Sequence, residues 1–247
     1  MEIISITNQK GGTGKSTTAL ALGAGLRKKG YKVLYVDLDP QGNLTYALGA
    51  TKSTGVTSFD LLKGVFDVAN VQNDVIISTP DLVKAEQLLN RIGKEHKLRE
   101  GLKCIKSRYD YIIIDTPPSM GILTTNALTA SNSLIVPAQA DIFSLQGITQ
   151  IKETVEAVRA YLNKDLTVKG ILLTRFNGRA IISKELAEVL QAEATKLGTR
   201  LFRTKIRECT ALKEAQAQHT DIFTYAPNSN GANDYFSFTK EVIKAAK

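Results

Sequence analysis

Near its start the chain contains the segment Gln9-Lys10-Gly11-Gly12-Thr13-Gly14-Lys15-Ser16-Thr17. It follows the apolar run Ile3–Ile6 and precedes the run Ala19–Leu22, which is the order strand, glycine loop and helix of a phosphate-binding loop. Glycine lets the backbone approach a ligand closely, and the amide groups at such a helix N-terminus face an anion. We therefore predict that residues 10–17 bind nucleotide phosphates. In this pattern Lys15 reaches the β- and γ-phosphates, and the Ser16 hydroxyl binds Mg²⁺.

The front of this loop departs from the usual pattern. That pattern has glycine where this chain has Gln9, and a second lysine, Lys10, follows here. Residues 10–16, Lys-Gly-Gly-Thr-Gly-Lys-Ser, resemble the deviant Walker A motif of the ParA/MinD family of ATPases. The resemblance implies an ATP site in which Lys10 and Lys15 are catalytic, and in which Lys10 reaches across a homodimer to the partner's nucleotide. The alternative is a glycine turn with two surface lysines.

Two aspartates, Asp37 and Asp39, leave the predicted second strand, residues 32–37. Their repulsion from a neighbouring phosphate is offset only if Mg²⁺, its waters or a proton-accepting task needs them. Residues 36–43 resemble the Walker A′ or switch I motif of the same family. The resemblance implies that Asp39 orients and activates the attacking water, and that Asp37 holds the water shell of the metal. The alternative is a helix cap or an Asp-Pro turn.

A third motif lies at Tyr109–Ser119, where four apolar residues, 111–114, are followed by Asp115 and two prolines. Consecutive apolar residues are typical of a parallel strand that is covered on both faces. Asp115 falls at the carboxyl end of this strand, where open α/β sheets present ligand-binding groups. The pattern resembles a Walker B strand and the family's switch II, which implies that Asp115 binds Mg²⁺. The alternative is a core strand with a capping aspartate.

Strand and helix patterns alternate along the chain without an internal repeat or a linker. This alternation predicts one α/β domain over residues 1–247, with a doubly wound, mainly parallel sheet flanked by helices. Residues 233–247 are expected to form a helix that packs on the core. Further helices are predicted at 15–29, 82–98, 144–162 and 181–197, and further strands at 75–77, 133–137 and 168–174.

Positive charge dominates the composition, with 32 Lys and Arg against 24 Asp and Glu and a net charge of +8. Residues 164–213 hold eleven of these basic residues and five acidic ones, which favours a surface that faces a polyanion. The family resemblance implies duplex DNA, bound without sequence preference by an ATP-bound dimer. A solvated basic face with no ligand is the alternative. The candidate DNA contacts are Arg175, Arg179, Lys196, Arg200, Arg203, Lys205 and Lys213.

The prediction of adenine contacts rests mainly on the resemblance to the family. It implies that residues 205–210 touch the base, which makes Arg207 an ATP-binding candidate. This sequence departs from the family there, because a proline often stands at the position of Arg207 and a basic residue at that of Ala211. Asn177 is a second candidate, since an asparagine that leaves a late strand can pair with the base. A turn residue is the alternative for Asn177.

The cysteines, the apolar runs and the first residues of the chain indicate the cellular compartment of the protein. Cys104 and Cys209 lack metal-ligand spacing and predict no disulfide framework. No apolar run approaches the roughly 20 residues of a membrane helix, and the first residues resemble a strand rather than a signal peptide. We expect a cytoplasmic, nucleoid-associated protein with no membrane partner.

Together these motifs favour a ParA-type partition ATPase that cleaves ATP slowly and is stimulated by a ParB-like centromere-binding partner. A MinD-like ATPase that works on a membrane surface is the first alternative. An iron–sulfur reductase that shares the loop is the second, but its bridging cysteines have no counterpart at suitable positions. A scaffold without hydrolysis is the third.

Overall fold

The computed structural model describes residues 1–51, 55–65, 71–85, 93–196 and 198–244. Six strands of this described part form one sheet, and every strand runs parallel to its neighbours. The strands are β1 Glu2–Ile6, β2 Val33–Asp37, β3 Val75–Ile76, β4 Tyr111–Asp115, β5 Ser133–Ala138 and β6 Thr167–Leu173. Their spatial order is β3-β2-β4-β1-β5-β6, which confirms the predicted doubly wound α/β sheet.

Helices cover both faces of this sheet. One core cluster joins Ile4 and Tyr35 to the first and last helices of the described chain, and a second joins Leu34 and Ile112 to helices on the opposite face. The helices are α1 Lys15–Lys28, α2 Asn43–Ala47, α3 Ser58–Lys63, α4 Lys97–Lys103, α5 Ile122–Ala130, α6 Ile142–Tyr161, α7 Ile181–Lys196, α8 Thr210–Ala217, α9 Ile222–Tyr225 and α10 Asn230–Lys244.

The register of the central strands brings two of the predicted site residues together. Ile6 of β1 pairs with Asp115 of β4, and Asp115 pairs in turn with Asp37 of β2. The loop that follows Ile6 therefore starts beside two carboxylates. This carboxyl edge is where ligands bind in open α/β sheets.

The C-terminal segment packs on the core, as predicted. The side chains of Tyr235, Phe238 and Val242 in α10 are buried in the same cluster as α1. The two helices approach closely at Gly25, where a Cβ atom would lie 2.3 Å from the hydroxyl oxygen of Thr239. Only glycine at position 25 permits this contact, because a larger side chain would push the helices apart.

Most other predicted boundaries agree with the structure to within two residues, but α10 begins at Asn230, three residues before its predicted start. The helix predicted over residues 82–98 can be compared only in part, because residues 86–92 lie outside the described chain. Around that gap the structure has short 3-10 turns at Pro80–Lys84 and Lys94–His96, and α4 begins only at Lys97. Gly93 has φ 82 and starts the second turn, so its left-handed backbone is not itself helical.

Residues 200–207, which we call the basic edge segment, run beside the edge strand β6. The amide of Ile171 donates to the carbonyl of Arg200 at 2.8 Å, and the amide of Phe202 donates back to Ile171 at 2.9 Å. Further along, the amide of Ile206 donates to the carbonyl of Leu173 at 2.8 Å. The segment therefore extends the sheet and places its side chains along one border of the molecule.

No helix in the described part of the chain is both long and apolar enough to cross a membrane.

Candidate nucleotide site

A cavity of about 600 Å³ opens at the carboxyl edge of the sheet, which is the size range of small-molecule sites. The glycine loop and the start of α1 line it, together with the end of the basic edge segment and α8. The lining residues are Gly11, Gly12, Gly14, Lys15, Ser16, Thr17, Asp39, Gln41, Asn43, Tyr46, Ala47, Pro118, Thr174, Arg175, Ile206, Arg207, Glu208, Cys209, Leu212, Lys213, Gln216, Ala217 and Tyr235.

Two of the three glycines in the loop use the conformational freedom of glycine, while Gly11 does not have a positive φ. Gly12 and Gly14 have φ of 75 and 84, values that a residue with a side chain rarely adopts. The loop is tied to the neighbouring strands, because Gln139 donates to the carbonyl of Gly12 at 2.9 Å and Thr174 donates to the carbonyl of Thr13 at 2.8 Å. Helix α1 begins directly after Gly14, so its N-terminus borders the cavity.

Lys15 is buried, and its ammonium group donates to the carbonyl of Lys10 at 3.2 Å. Among the described residues no carboxylate lies at ion-pair distance from it. Burial lowers the pKa of Lys15, while the charges of Asp115 and Asp39 act in the opposite direction. A buried cation without a paired anion, at the N-terminus of a helix, suits a phosphate group.

Asp115 is fully buried, and neither carboxylate oxygen accepts a hydrogen bond of good geometry from the described residues, although the Ser16 hydroxyl is close enough to lower the pKa of the carboxyl. Burial raises its pKa well above the usual range, and the charge of Asp37 adds to this, while Ser16 and Lys15 act in the opposite direction. An unpartnered carboxylate is costly in the interior unless a cation or a proton neutralises it. Two hard oxygen donors, the Asp115 carboxylate and the nearby Ser16 hydroxyl, therefore fit a magnesium ion.

The two switch I aspartates are in different environments. Asp37 is buried, and one of its oxygens accepts hydrogen bonds from both the amide and the hydroxyl of Thr45 at 2.8 Å. Burial raises the pKa of Asp37 to about 6 despite these bonds. Asp37 thus caps the start of α2. Asp39 lines the cavity, and its Oδ1 accepts from the amide of Gln41 at 2.9 Å. The roles predicted for both in catalysis and metal binding stay predictions.

Lys10 is not among the residues that line the cavity. Its ammonium nitrogen lies 2.5 Å from the carboxylate of Asp141 and 5.5 Å from the centre of the Phe143 ring. Its backbone is fixed as well, because the amide donates to the side chain of Asn8 at 3.0 Å. Contact of Lys10 with a nucleotide therefore stays a prediction, and it needs the side chain to leave Asp141.

The two adenine candidates differ in placement. Arg207 lines the cavity and forms a two-pronged ion pair with Asp234 of α10. Asn177 is exposed, does not line the cavity, and accepts from the amide of Arg179 at 3.1 Å as a turn residue does. Contact of either residue with adenine stays a prediction.

The DNA candidates fall into two groups. Arg175 and Lys213 line the nucleotide cavity, and Arg175 is paired with Glu208 at 2.8 Å. The others lie outside the cavity, on or near the basic edge segment and α7. Those others are Arg179, Lys196, Arg200, Arg203 and Lys205. Arg200, Arg203 and Lys205 are close in sequence, and the structure places their segment along the edge strand β6. DNA contact by any of the seven residues stays a prediction.

Several residues that line the cavity lie outside the sequence motifs and were not predicted. Thr174 holds the glycine loop, and Gln216 of α8 donates to the hydroxyl of Thr17 at 2.9 Å. The position of Thr174 directly after a parallel strand was a usable signal, because such positions meet at the carboxyl edge. Gln216 lies in a polar helix with no distinguishing spacing and offered no signal.

Comparison with known proteins agrees with this geometry. A family described as an AAA domain matches residues 1–168. The sporulation initiation inhibitor protein Soj of Bacillus subtilis is 41% identical over 98% of both chains. The chromosome partitioning protein ParA of Myxococcus xanthus is 37% identical over 98% of this chain and 88% of its own. The structure of cobyrinic acid a,c-diamide synthase from Mycobacterium smegmatis, with bound ATP analog and magnesium, is 31% identical with a TM-score of 0.87, over 100% of this chain and 96% of that one. The chain therefore belongs to the ParA/Soj family of partition ATPases.

Proposed function

We propose that this chain binds Mg-ATP, closes into a homodimer around it, and in that state binds duplex DNA without sequence preference. The observation that carries the nucleotide part is the buried, unpartnered carboxylate of Asp115 beside Ser16 and Lys15. A cavity that contains a buried anion, a buried cation and a helix N-terminus suits a metal-bound polyphosphate.

At the phosphate end, Lys15 neutralises charge on the β- and γ-phosphates, and Ser16 and Asp115 hold the magnesium ion. When bound, magnesium offsets the charge that develops on the phosphoryl oxygens. Residues 11–17 surround the phosphates with backbone amides. The similar cobyrinic acid a,c-diamide synthase structure contains a bound ATP analog and magnesium, which supports this assignment.

Asp39 is the residue that orients the attacking water. It is nearly buried, it lines the cavity, and its Oδ1 is held by the amide of Gln41. The carboxylate accepts a proton from water as the water attacks the γ-phosphate, and the products are ADP and phosphate. Hydrolysis is slow in the dimer alone, so ATP acts as a switch ligand and the bound state persists.

Lys10 completes the site of the other subunit. Two triphosphates that face each other repel, and a lysine from each side offsets this repulsion. Lys10 lies at the surface next to Phe143, which is 68% exposed, so both residues are accessible to a second copy of the chain. Closure of the dimer exchanges the carboxylate of Asp141 for the partner's phosphates.

The basic edge segment and its neighbours supply phosphate contacts for DNA, and nothing in them suggests a base-reading helix. A ParB-like centromere-binding partner stimulates hydrolysis, and the dimer then opens and leaves the DNA. Through this cycle the protein, which is cytoplasmic and associated with the nucleoid, drives the segregation of a plasmid or a chromosome. The relative from Myxococcus xanthus is named a chromosome partitioning protein, which supports this proposed cycle.

The test is a titration of duplex DNA with ATP, with ADP and without nucleotide, at several salt concentrations. We expect tight binding only with ATP and a steep loss of affinity as salt rises. Equal binding in all three states would overturn the switch. A parallel arm with anionic vesicles separates the MinD-like alternative, which predicts ATP-dependent binding to lipid and none to DNA. The burial of α10 against α1 argues against that alternative, because the aromatic side chains that would enter a membrane are in the core.

A further inference from the structure

The short helix α2 begins four residues after Asp39 and is bound to the segment that contains it. The amide of Ser78 donates to the hydroxyl of Thr45 in α2 at 2.9 Å, and the hydroxyl of Ser78 donates to the carbonyl of Asp39 at 2.5 Å. The hydroxyl of Thr45 donates in turn to Asp37, so both aspartates are linked to this helix. The position of α2 therefore affects where the carboxylate of Asp39 lies in the cavity.

His219, which follows α8, holds the other end of α2. Its Nδ1 lies 2.7 Å from the carbonyl oxygen of Tyr46. A carbonyl oxygen can only accept, so Nδ1 carries the proton and donates this hydrogen bond. The two rings also meet edge to face, with their centres 4.6 Å apart. The backbone beyond α2 is equally close, because a Cβ atom at Gly49 would lie 3.2 Å from the Cβ atom of His219.

The backbone of His219 has a left-handed conformation, with φ 53. It lies in the turn that ends α8, where the amide of Thr220 donates to the carbonyl of Ala215 at 3.0 Å. Glycine or asparagine usually occupies such a position, because a larger side chain makes this conformation costly. His219 is exposed and adds little to the core. What its side chain contributes is the contact with α2.

Helix α8 also contacts the glycine-loop side of the site. The side-chain amide of Gln216 donates to the hydroxyl of Thr17, in the first turn of α1, at 2.9 Å. Helix α8 therefore joins α2 to the helix that follows the glycine loop. Tyr46 and Gln216 both line the nucleotide cavity, whereas His219 does not. Loss of the His219 side chain would thus loosen α2 without removing a group from the cavity wall.

We propose that His219 is a positioning residue, which fixes α2 and through it Asp39 for the reaction with water. This inference rests on the proposed function, because hydrolysis assisted by Asp39 is part of it. His219 acts through the backbone of Tyr46 and not on the nucleotide itself. It follows that His219 governs the rate of ATP cleavage and leaves the affinity for ADP unchanged.

The experiment compares three variants. His219→Gly suits the left-handed backbone but removes the side chain. His219→Asn also tolerates this backbone, and its amide nitrogen is bonded to Cγ as Nδ1 of histidine is, so it can replace the donor. His96→Ala removes the other histidine of the chain, which lies in the turn before α4 and outside the cavity, and serves as the control.

Hydrogen exchange of residues 43–50 in the nucleotide-free protein measures the contact with α2 directly. We expect exchange to be about tenfold faster in His219→Gly, the effect of one lost hydrogen bond, and close to that of the wild type in His219→Asn. The unfolding temperature of His219→Gly should not fall, because glycine relieves the cost of the left-handed backbone. A residue that merely stabilised the fold would lower it.

Phosphate release at saturating Mg-ATP and calorimetric titration with ADP separate positioning from binding. Phosphate release should fall about tenfold in His219→Gly, since a displaced reacting group loses rate, and it should recover in His219→Asn. The affinity for ADP should be the same in all these proteins.

The inference is overturned if His219→Gly leaves the exchange of α2 unchanged, if its ADP affinity falls together with its turnover, or if His219→Asn behaves like His219→Gly. A wild-type chain that cleaves no ATP would instead overturn the proposed function. The exchange of α2 in the nucleotide-free chain would then still show whether His219 fixes this helix.

Discussion

The ammonium nitrogen of Lys10 lies 2.5 Å from Oδ2 of Asp141, a residue 131 positions further along the chain. The other oxygen of the same carboxylate accepts from the amide of Ser144 at 2.8 Å and caps the start of α6. One carboxylate thus joins the front of the glycine loop to a helix N-terminus. The side chains of this pair are 28% and 30% exposed, so it contributes at most about 1 kcal/mol to stability.

Because this contribution is small, Lys10→Ala should fold normally and still bind ATP, but it should no longer dimerise. The lost group is the one that offsets repulsion between facing triphosphates. Sedimentation with magnesium and a non-cleavable ATP analogue measures the effect, and Lys103→Ala is the charge-matched control. A Lys10→Ala dimer with wild-type affinity would exclude the assigned role.

Lys15→Ala should abolish nucleotide binding without loss of stability. The ammonium is buried with no described carboxylate partner, and its charge disfavours folding through desolvation. Calorimetric titration with ADP and thermal unfolding without nucleotide measure the two effects. Unchanged ADP affinity would contradict the assignment of the phosphate end.

Asp39→Ala should give a dimer that forms with ATP and does not come apart, because the group that accepts the proton of the attacking water is gone. Phosphate release and dimer lifetime are the measurements. Asp81→Ala, which removes an exposed carboxylate paired with Lys84, is the control. Normal turnover by Asp39→Ala would exclude its role.

Asp115→Asn should stabilise the nucleotide-free protein, and more so at high pH. The pKa of Asp115 is raised well above its usual value by burial, so the folded state favours the protonated carboxyl. The contribution of this protonation to stability is complete below the unfolded pKa, about 4, and is lost as the pH rises through the folded pKa. The asparagine does not ionise and avoids that loss.

Urea unfolding of wild type and Asp115→Asn at pH 5 and pH 8.5 measures this difference. Addition of Mg-ADP should stabilise the wild type much more than the variant, because the variant lacks the carboxylate that suits the metal. A stability difference that is independent of pH, or equal stabilisation of both proteins by Mg-ADP, would contradict the expectation.

Charge reversal of Arg200, Arg203 and Lys205 should weaken ATP-dependent DNA binding and flatten its salt dependence. Each phosphate contact that is lost lowers the slope of log affinity against log salt by about 0.9. Nucleotide affinity should not change, since none of the three side chains lines the cavity. A slope equal to that of the wild type would place the DNA site on another surface.

Much of the fold could be predicted from local sequence. The glycine loop, the strand that ends in Asp115 and the aspartates after β2 are contiguous motifs, and the conformation of each depends on residues within a few positions. Parallel strands place their carboxyl ends at one edge, so the pattern predicts that Asp37 and Asp115 lie at the same edge of the sheet. Their direct pairing was decided by the strand order, which puts β2 next to β4.

Tertiary structure alone decided the contacts between distant residues. Arg207 meets Asp234, and Lys10 meets Asp141, across separations that carry no periodicity. The sequence also did not predict three further features. These are the burial of the Asp115 carboxylate, the capping of α2 by Asp37, and the alignment of the basic edge segment with β6. Hydrophobic periodicity specifies which face of an element is buried, but the pairing of polar groups depends on how the packed elements finally lie against one another.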